Sequence, residues 1–236
     1  MDSPQQHPRY EWLSWEDASF VLFEHRATHM HVAVLGIFEL GPLRSPTRGV
    51  DAARLTRYAE SRLGNLPHYR QKLVFAPLSG RPVWVDDPHF DLDYHLRHTA
   101  LPAPGSEEDL KRLVGRLLSQ PLDRDRPLWE MWLVEGLERE RFALLIKVHH
   151  CMMDGVSGAN LMTVMFRTEP DASIPLAEGW SPHEAPSRLR LAFDEALDTA
   201  SRPLAFARAA ASALRAPERT LRRALERAGA VTEALR

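Results

Sequence analysis

The apolar run from Phe142 to Val148 constrains the fold of this chain more than any other segment. Lys147 is its one charged residue. A strand that is buried on both faces has this composition, because neither of its faces is exposed to solvent. Residues 128–137 are similarly apolar, and Glu138-Arg139-Glu140 joins the two segments. The sequence therefore predicts a hairpin of strands 128–137 and 141–149, with the second strand at the centre of a sheet.

Other segments carry helix and strand signals. Ser14 and Ser106 each precede an Asp by three residues, which is the spacing of a helix capping box, and Asp51 begins a third helical segment. Segments rich in Val, Ile and Phe that end at Gly or Pro favour strands. The predicted helices are 15–25, 51–63 and 107–120, and the further predicted strands are 30–40, 68–75 and 82–85.

The composition changes after Arg167. Residues 168–186 contain four prolines and few periodic apolar residues, which is typical of a linker. From Ser187 onward the chain is rich in Ala, Arg and Leu, and we expect helices that two further prolines interrupt. The sequence therefore predicts a folded domain over residues 1–168, followed over residues 169–236 by a linker and basic helices.

Charge and cysteine content limit the partners and the compartment. A net charge of -2 gives no bias towards nucleic acid, and one cysteine excludes an internal disulfide, which suits a reducing compartment. Neither a signal peptide nor an apolar stretch of the roughly 20 residues that span a bilayer is evident. We expect a cytoplasmic protein, at most peripherally attached to a membrane. From Arg188 onward ten Arg face six acidic residues, which suits helix packing first and an anionic membrane surface second.

A compact histidine motif follows the central strand. His149-His150 and Asp154-Gly155 are separated by three residues and precede a helix-like stretch over 156–167. Histidine titrates near neutrality and is the usual base that takes a proton from an alcohol or amine. Adjacent residues of a strand point to opposite sides, so one histidine should face the packed interior and the other a cleft. The pattern predicts a proton-transfer site at a strand-to-helix turn.

The other residues of the motif have competing interpretations. Asp154 either caps the following helix or pairs with an Arg to fix the turn, and in neither role is it the base. Gly155 suits a position where a side chain would block close packing or where φ is positive. Cys151 could be a nucleophile, but a small buried thiol is the more common case. The spacing does not suit a metal, so we expect none.

Two further segments are weaker candidates. Pro127, Leu128 and Trp129 open the first strand of the hairpin, where core packing is the simplest interpretation. A second histidine pair with nearby carboxylates could bind a metal, although a solvated loop is the simpler prediction; it comprises His95 and His98 with Asp91 and Asp93.

Taken together, these segments resemble the chloramphenicol acetyltransferase-like superfamily. Within it, the bacterial bifunctional wax ester synthase/diacylglycerol acyltransferases are the most similar group. The stretch 149–155 is similar to their His-His-x-x-x-Asp-Gly motif, although position 151, commonly Ala, is Cys here. The resemblance covers nearly the whole chain, and its other segments are 13–20 with Glu24, 30–32, 68–73, 91–96 and 121–130.

The resemblance implies a fold and roles for the site residues. The fold is α+β, half of a chloramphenicol acetyltransferase-like domain, with a mixed β-sheet flanked by helices and followed by a helical crossover segment. His150 is then the general base, His149 supports the turn, and Asp154 holds its geometry. The family's Pro-Leu-Trp region matches residues 127–129, which become substrate-binding candidates. Family chains are roughly twice this length, so we expect an N-terminal half that needs a C-terminal half.

The resemblance also implies a reaction. It is the acyl-CoA-dependent acylation of a long-chain alcohol or of diacylglycerol to a wax ester or triacylglycerol, with acyl-CoA as substrate and no cofactor. Peripheral contact with the inner membrane face or with lipid droplets would accompany it. Two alternatives stay open. One is a condensation-type acyltransferase of the same superfamily, which uses carrier-bound acyl groups; the other is a non-catalytic half-domain that binds acyl chains or a partner.

Overall fold

A computed structural model describes residues 10–47, 49–153, 164–166, 174 and 179–199 of the chain. The strands are β1 (Glu11–Trp12), β2 (His31–Glu39), β3 (Gln71–Phe75), β4 (Pro82–Asp86), β5 (Leu96–Ala100), β6 (Trp129–Leu137) and β7 (Arg141–His149). The helices are α1 (Trp15–Phe23), α2 (Ala52–Leu63), α3 (Leu92–His95), α4 (Glu107–Leu118) and α5 (188–199). Single 3-10 turns cover Gly41–Leu43, Pro67–Arg70 and His150–Met152.

Contacts divide the chain into two compact units. One comprises Met1–Phe75 with Gly80–Pro186, and the other comprises Ala76–Ser79 with Ser187–Arg236. The predicted domain boundary after residue 168 lies outside the described residues and stays a prediction.

A mixed four-stranded sheet in the first unit places β7 between two neighbours. The strand order is β2-β7-β6-β5; β2 and β6 are antiparallel to β7, and β5 is parallel to β6. Eight of the nine residues of β7 are buried, as the apolar run predicts for a central strand. The predicted hairpin of β6 and β7 is therefore confirmed, and His149 is the last residue of its second strand.

A smaller antiparallel sheet of the same unit has the order β1-β4-β3. All five residues of β4 are buried. The strand predicted from His68 begins only at Gln71, because Pro67 opens a 3-10 turn over residues 67–70. Proline suits the first position of such a turn, since its fixed φ is already helical and the missing N–H is not needed there.

The helix starts follow the predicted caps. The Ser14 hydroxyl accepts from the Asp17 backbone N–H at 3.0 Å, and the Asp51 carboxylate accepts from the Arg54 N–H at 2.9 Å. Ser106 forms a complete capping box at the start of α4. Helices α1 and α4 end two residues before the predicted positions, at Phe23 and Leu118. Helix ends fray, so start signals are the more exact of the two.

The largest core cluster joins α1 and both sheets to the turn that follows β7. Cys151 and Met152 of that turn are 4% and 5% exposed. The turn that begins the histidine motif's second half is therefore anchored in the largest buried apolar cluster of the first unit. The other buried members are Leu13, Ala18, Val21, Leu63, Leu66, Tyr69, Leu73, Trp84, Leu122, Leu128, Trp129, Met131, Ile146 and Val148.

Lys147 is fully buried in β7 and has a structural partner. Its ammonium donates to the backbone carbonyls of Leu117 and Gln120 at 3.0 and 2.5 Å, at the C-terminus of α4. The His31 ring bonds the Leu118 carbonyl beside them at 2.8 Å. Helix C-termini leave carbonyls unpaired and carry a partial negative charge, so a cation is favourable there. The charged residue in the apolar run therefore attaches α4 to the sheet.

The described part of the second unit is built around α5. Ser187 caps this helix by accepting from the Arg190 N–H at 3.2 Å. The Glu195 carboxylate accepts from the backbone N–H groups of Leu78 and Ser79 at 3.1 and 2.8 Å. Leu191 is buried. The predicted helix after Ser187 is confirmed over residues 188–199.

Candidate active site

The two histidines of the motif stand at the point where β7 ends. His149 is the last residue of the strand, and His150 begins the 3-10 turn. The His149 N–H donates to the Leu128 carbonyl at 2.9 Å, and the His150 N–H donates to the Met30 carbonyl at 2.8 Å. Backbone on both sides therefore holds the pair in place, from the start of β6 and from the segment before β2.

His149 lies in the protein interior with 1% of its surface exposed. Its Nδ1 accepts from the Cys151 backbone N–H at 3.1 Å, so a neutral ring carries its proton on Nε2. Nε2 lies 3.6 Å from a carboxylate oxygen of Glu24. Burial lowers the pKa of His149 to about 4, although the charge of Glu24 opposes this shift. At neutral pH this imidazole is uncharged, and it is too weak a base for efficient proton abstraction.

His150 has a different environment. Its ring is partly exposed and stacks on Phe20 of α1, with 3.8 Å between the ring centroids and 22° between the planes. Its Nδ1 is buried and has no hydrogen-bond partner among the described residues. The prediction that the two neighbouring histidines face different surroundings agrees with the structure. Each ring thus has one buried nitrogen without a partner among the described residues, His149 Nε2 and His150 Nδ1, and partial exposure is what distinguishes His150.

Glu24 and Arg124 form a pair beside the turn. Glu24 Oε1 accepts from the Met30 N–H at 3.1 Å, and Oε2 accepts from Arg124 Nη2 and Nε at 2.6 and 3.0 Å. Burial would raise the pKa of the Glu24 carboxyl, but these hydrogen bonds outweigh it and hold that pKa below its usual value. In the sequence, Glu24 is marked only by the family resemblance, and no role was predicted for it. Its position four residues after Phe20 could have indicated that the two side chains lie on the same face of α1.

Cys151 is a buried thiol and a poor candidate for a nucleophile. It is 4% exposed and belongs to the core cluster. Burial raises the pKa of the thiol, and the carboxylates of Asp17 and Glu24 add to the shift. Reactive cysteines need a lowered pKa and access to solvent. The interpretation as a small packing residue is therefore the one that the structure supports.

Asp154 and Gly155 lie outside the described residues. Their roles as turn support stay predictions, as does the helix over 156–167 apart from helical residues 164–165.

The Pro-Leu-Trp segment borders the motif through its backbone, while its side chains are buried. The Trp129 Nε1 donates to the Tyr69 carbonyl at 2.8 Å, and its ring stacks on His95 at 4.6 Å. Pro127 and Leu128 are also buried. This placement favours the packing interpretation, and contact of these three residues with a substrate stays a prediction.

The loop predicted around His95 and His98 is wrong. Residues 92–95 form α3 and residues 96–100 form β5. His95 is fully buried and bonds the Trp129 carbonyl, whereas the His98 ring lies 3.0 Å from a carboxylate oxygen of Glu135. Burial of His95 against Trp129 overrode the polar composition of the segment. Within the described ranges, no group of three or more His, Cys, Asp or Glu could hold a metal ion.

An open cleft of about 300 Å³ borders the turn at Cys151 and Met152. Trp12 and Trp84 contribute aromatic surface, and Glu11 and Asp17 contribute carboxylates. Ligand sites combine apolar walls with a few polar groups in this way, and this volume is at the lower end of their range. The described residues thus leave room beside the motif for part of a substrate.

Comparison with known proteins identifies the family. A family model described as the wax ester synthase/diacylglycerol acyltransferase catalytic domain matches residues 13–236. The chain belongs to this family. The resemblance drawn from the histidine motif and its flanking segments is confirmed, and so is the assignment as an acyltransferase.

Relatives of different length match the chain. A Mycobacterium tuberculosis protein named as a probable diacylglycerol O-acyltransferase, tgs3, is 43% identical over 204 residues, which cover 86% of this chain and 73% of that protein. A second M. tuberculosis protein named as a diacylglycerol O-acyltransferase, MT1809, is 37% identical, and the match covers 92% of this chain but 42% of its own. The chain thus spans less than half of some relatives.

Solved structures agree on the fold. The wax ester synthase/diacylglycerol acyltransferase from Marinobacter aquaeolei VT8 superposes with a TM-score of 0.57 at 35% identity, over 71% of this chain and 41% of that one. The first condensation domain of the CDA synthetase superposes with a TM-score of 0.52 at 20% identity, over 66% of this chain and 38% of that one, which shows the fold alone. The predicted α+β, chloramphenicol acetyltransferase-like fold with its mixed sheet is confirmed.

Proposed function

We propose that His150 is the general base of an acyl-CoA-dependent O-acyltransferase reaction. The acceptor is a long-chain alcohol or the free hydroxyl of diacylglycerol, and the product is a wax ester or triacylglycerol. The observation that carries the assignment is the contrast within the pair. His149 is buried with its pKa lowered to about 4, whereas the His150 ring is partly exposed and stacks on Phe20.

The proposed reaction is the one that the family resemblance implies, with His150 as its base. His150 takes the proton of the acceptor hydroxyl while the oxygen attacks the thioester carbonyl of acyl-CoA. The tetrahedral intermediate then expels the CoA thiolate, which receives the proton from His150. General acid-base catalysis of this kind contributes roughly 10²–10⁴-fold. No covalent acyl-enzyme is needed, and acyl-CoA enters as a substrate, so the proposal requires no resident cofactor.

The turn supports this chemistry in two ways. Backbone hydrogen bonds from His149 and His150 fix the end of β7, so that the base does not need to be ordered at the moment of reaction. Phe20 stacks on the His150 ring and restricts its rotation. Asp154 is proposed to hold the following turn, as the resemblance implies.

Two alternatives from the same fold compete with this proposal. A condensation-type acyltransferase would use acyl groups bound to a carrier protein. A non-catalytic half-domain would bind acyl chains without turnover. The choice of donor and the presence of turnover separate the three.

The proposed partners and location follow the same reasoning. We expect a C-terminal half, in the same chain or another, to supply the opposite wall of the site. The arginine excess from Arg188 onward suits peripheral contact with an anionic membrane face or a lipid droplet in the cytoplasm. Among the described residues, no helix is both long enough and apolar enough to cross a bilayer.

The test is ester formation from labelled acyl-CoA and a long-chain alcohol or diacylglycerol, measured with a C-terminal half of the family present. His150→Ala should lower kcat by at least about 10²-fold, because the base is lost. Cys151→Ala, at the neighbouring position, is the matched control and should stay within about twofold of the parent.

Retained turnover in His150→Ala would disprove the assignment of the base. Loss of turnover in Cys151→Ala alone would instead favour a thiol nucleophile. Preference for acyl-carrier protein over acyl-CoA would favour the condensation-type alternative.

A further inference from the structure

We propose that Glu24, held by Arg124, is the positioning residue of the catalytic turn, fixing both the ring of His149 and the backbone that carries His150. This inference rests on the proposed function and names a part of the site that the histidine motif does not contain. Glu24 lies at the end of α1, 125 positions before His149 in the sequence.

One carboxylate oxygen of Glu24 acts on His150 through the backbone. Oε1 accepts from the Met30 N–H at 3.1 Å, and the Met30 carbonyl accepts from the His150 N–H at 2.8 Å. Glu24 and His150 are thus linked through the backbone N–H and the backbone carbonyl of Met30. A shift of Met30 would move the backbone of the proposed base directly.

The other oxygen of Glu24 faces His149. Oε2 lies 3.6 Å from His149 Nε2, the nitrogen that carries the proton when Nδ1 accepts from Cys151. A negative charge at this position favours the Nε2–H tautomer, because its dipole points towards the carboxylate. The same tautomer leaves Nδ1 free to cap the turn at Cys151.

Arg124 gives this carboxylate a fixed position. Two of its nitrogens donate to Oε2 at 2.6 and 3.0 Å, and Nη2 also donates to the Val21 carbonyl at 2.9 Å. The Glu24 side chain is 10% exposed and that of Arg124 is 45% exposed, so water reaches the guanidinium while the carboxylate is largely enclosed. The guanidinium therefore ties Glu24 to its own helix.

Helix α1 presents a second contact on the same face. Phe20 and Glu24 are four residues apart and therefore lie one helical turn apart on the same side. Phe20 stacks on His150 while Glu24 faces His149. Ala18 and Val21 are buried in the core cluster and Phe20 packs against it, so the core holds α1 in place. Both histidines are thus placed by one element.

Kinetics measured with a C-terminal half of the family present test the role of Glu24. Neither it nor Arg124 is proposed to touch the reacting atoms, so their loss should impair geometry and not substrate binding. Displacement of a catalytic group by about 1 Å can cost up to about 10²-fold in rate. We expect Glu24→Gln and Arg124→Gln to lower kcat by about tenfold or more while KM for acyl-CoA stays within twofold.

The pair should also behave as a unit. The double variant Glu24→Gln/Arg124→Gln should be no slower than either single variant, because both remove the same interaction. Glu16→Gln, the same change at an exposed position of α1, is the control and should match the parent. A kcat within twofold of the parent in both single variants, or multiplicative losses in the double variant, would overturn the proposal.

A readout that does not require turnover is the tautomeric state of the two rings by ¹⁵N NMR of histidine-labelled chain. In the parent, His149 should be the Nε2–H tautomer. In folded Glu24→Gln the two ¹⁵N shifts of His149 should move towards each other, and the His150 signals should broaden. Unchanged imidazole signals in the folded variant would reduce Glu24 to a stabilising residue and overturn the inference. If Glu24→Gln does not fold, Arg124→Gln, which removes the guanidinium that holds Glu24, is measured in its place with the same criterion.

His150→Ala separates this inference from the proposed function. Full turnover in that variant removes the proposed base, whatever Glu24 does. Loss of turnover in His150→Ala combined with parental kcat and NMR signals in the Glu24 variants contradicts the positioning role alone.

Discussion

Two adjacent histidines have different chemistry because their side chains leave the backbone in different directions. His149 ends a buried strand, and burial keeps its ring neutral at neutral pH. His150 starts a 3-10 turn and lies against Phe20 with part of its surface exposed. One residue of sequence separates a structural imidazole from a catalytic candidate. At this scale, the environment decides function more than the residue type does.

The neutral state of His149 predicts a pH dependence of stability. Its pKa is about 4 in the folded protein and near the usual 6.5 when unfolded, so the unfolded state binds more protons between these values. Stability therefore falls as pH falls from about 6.5 towards 4. Between pH 7 and pH 5 we expect His149 to account for a loss of about 2 kcal/mol.

Urea denaturation at the two pH values measures this loss, and His149→Asn should remove it. His25→Asn replaces an exposed imidazole and should keep the parental pH dependence. Equal pH dependence in the parent and in His149→Asn would contradict the prediction.

At the scale of elements, β7 has two structural roles. It is the central strand of the mixed sheet, and through Lys147 it holds the C-terminal carbonyls of α4. Burial lowers the pKa of the Lys147 ammonium, although the carboxylate of Glu130 opposes the shift. The carbonyls at the helix end replace water as partners of this cation. A charge in an apolar strand is thus explained by a helix terminus that needs donors.

Removal of these donors should destabilise the fold. Lys147→Met keeps the length and apolar surface of the side chain but leaves the carbonyls of Leu117 and Gln120 without their partner. We expect a loss of about 1–3 kcal/mol in the free energy of unfolding. Lys111→Met, at an exposed position of α4, is the control and should change stability by less than about 0.5 kcal/mol. Equal denaturation midpoints for the two variants would refute the structural role of Lys147.

At the scale of the whole molecule, the length of the relatives bears on activity. The chain covers 41% of the Marinobacter enzyme and 42% of MT1809, but 73% of tgs3. The cleft beside the turn is about 300 Å³ and open. Transfer of a long acyl chain to a second apolar substrate needs a site that excludes water. We expect the described residues to supply one wall of such a site.

This predicts a separation of binding from turnover. Residues 1–236 alone should bind acyl-CoA in a calorimetric titration but show little ester formation. Turnover should rise when the C-terminal half of a full-length relative is supplied. His150→Ala mixed with the same half is the control and should stay inactive. Full turnover by residues 1–236 alone would show that ester formation does not need the C-terminal half, and would contradict this prediction.

Several elements could be predicted because their signals are local. The apolar run of β7, the Ser14, Asp51 and Ser106 caps and the hairpin connection depend on residues close in sequence, and all are observed. The residues around His95 were predicted wrongly because their burial depends on Trp129, 34 positions away. Polar composition alone indicated a loop there.

The sequence by itself determined the family, the histidine motif and the central strand that presents it, because each is encoded in a short pattern. Tertiary structure decided that His149 is buried with a lowered pKa, and it brought Glu24 and Arg124 to the turn from two distant segments. A pKa and an ion pair depend on the distances between groups that chain folding brings together, and no local pattern contains those distances. The site is therefore recognisable in the sequence, but its working parts are assembled only by the fold.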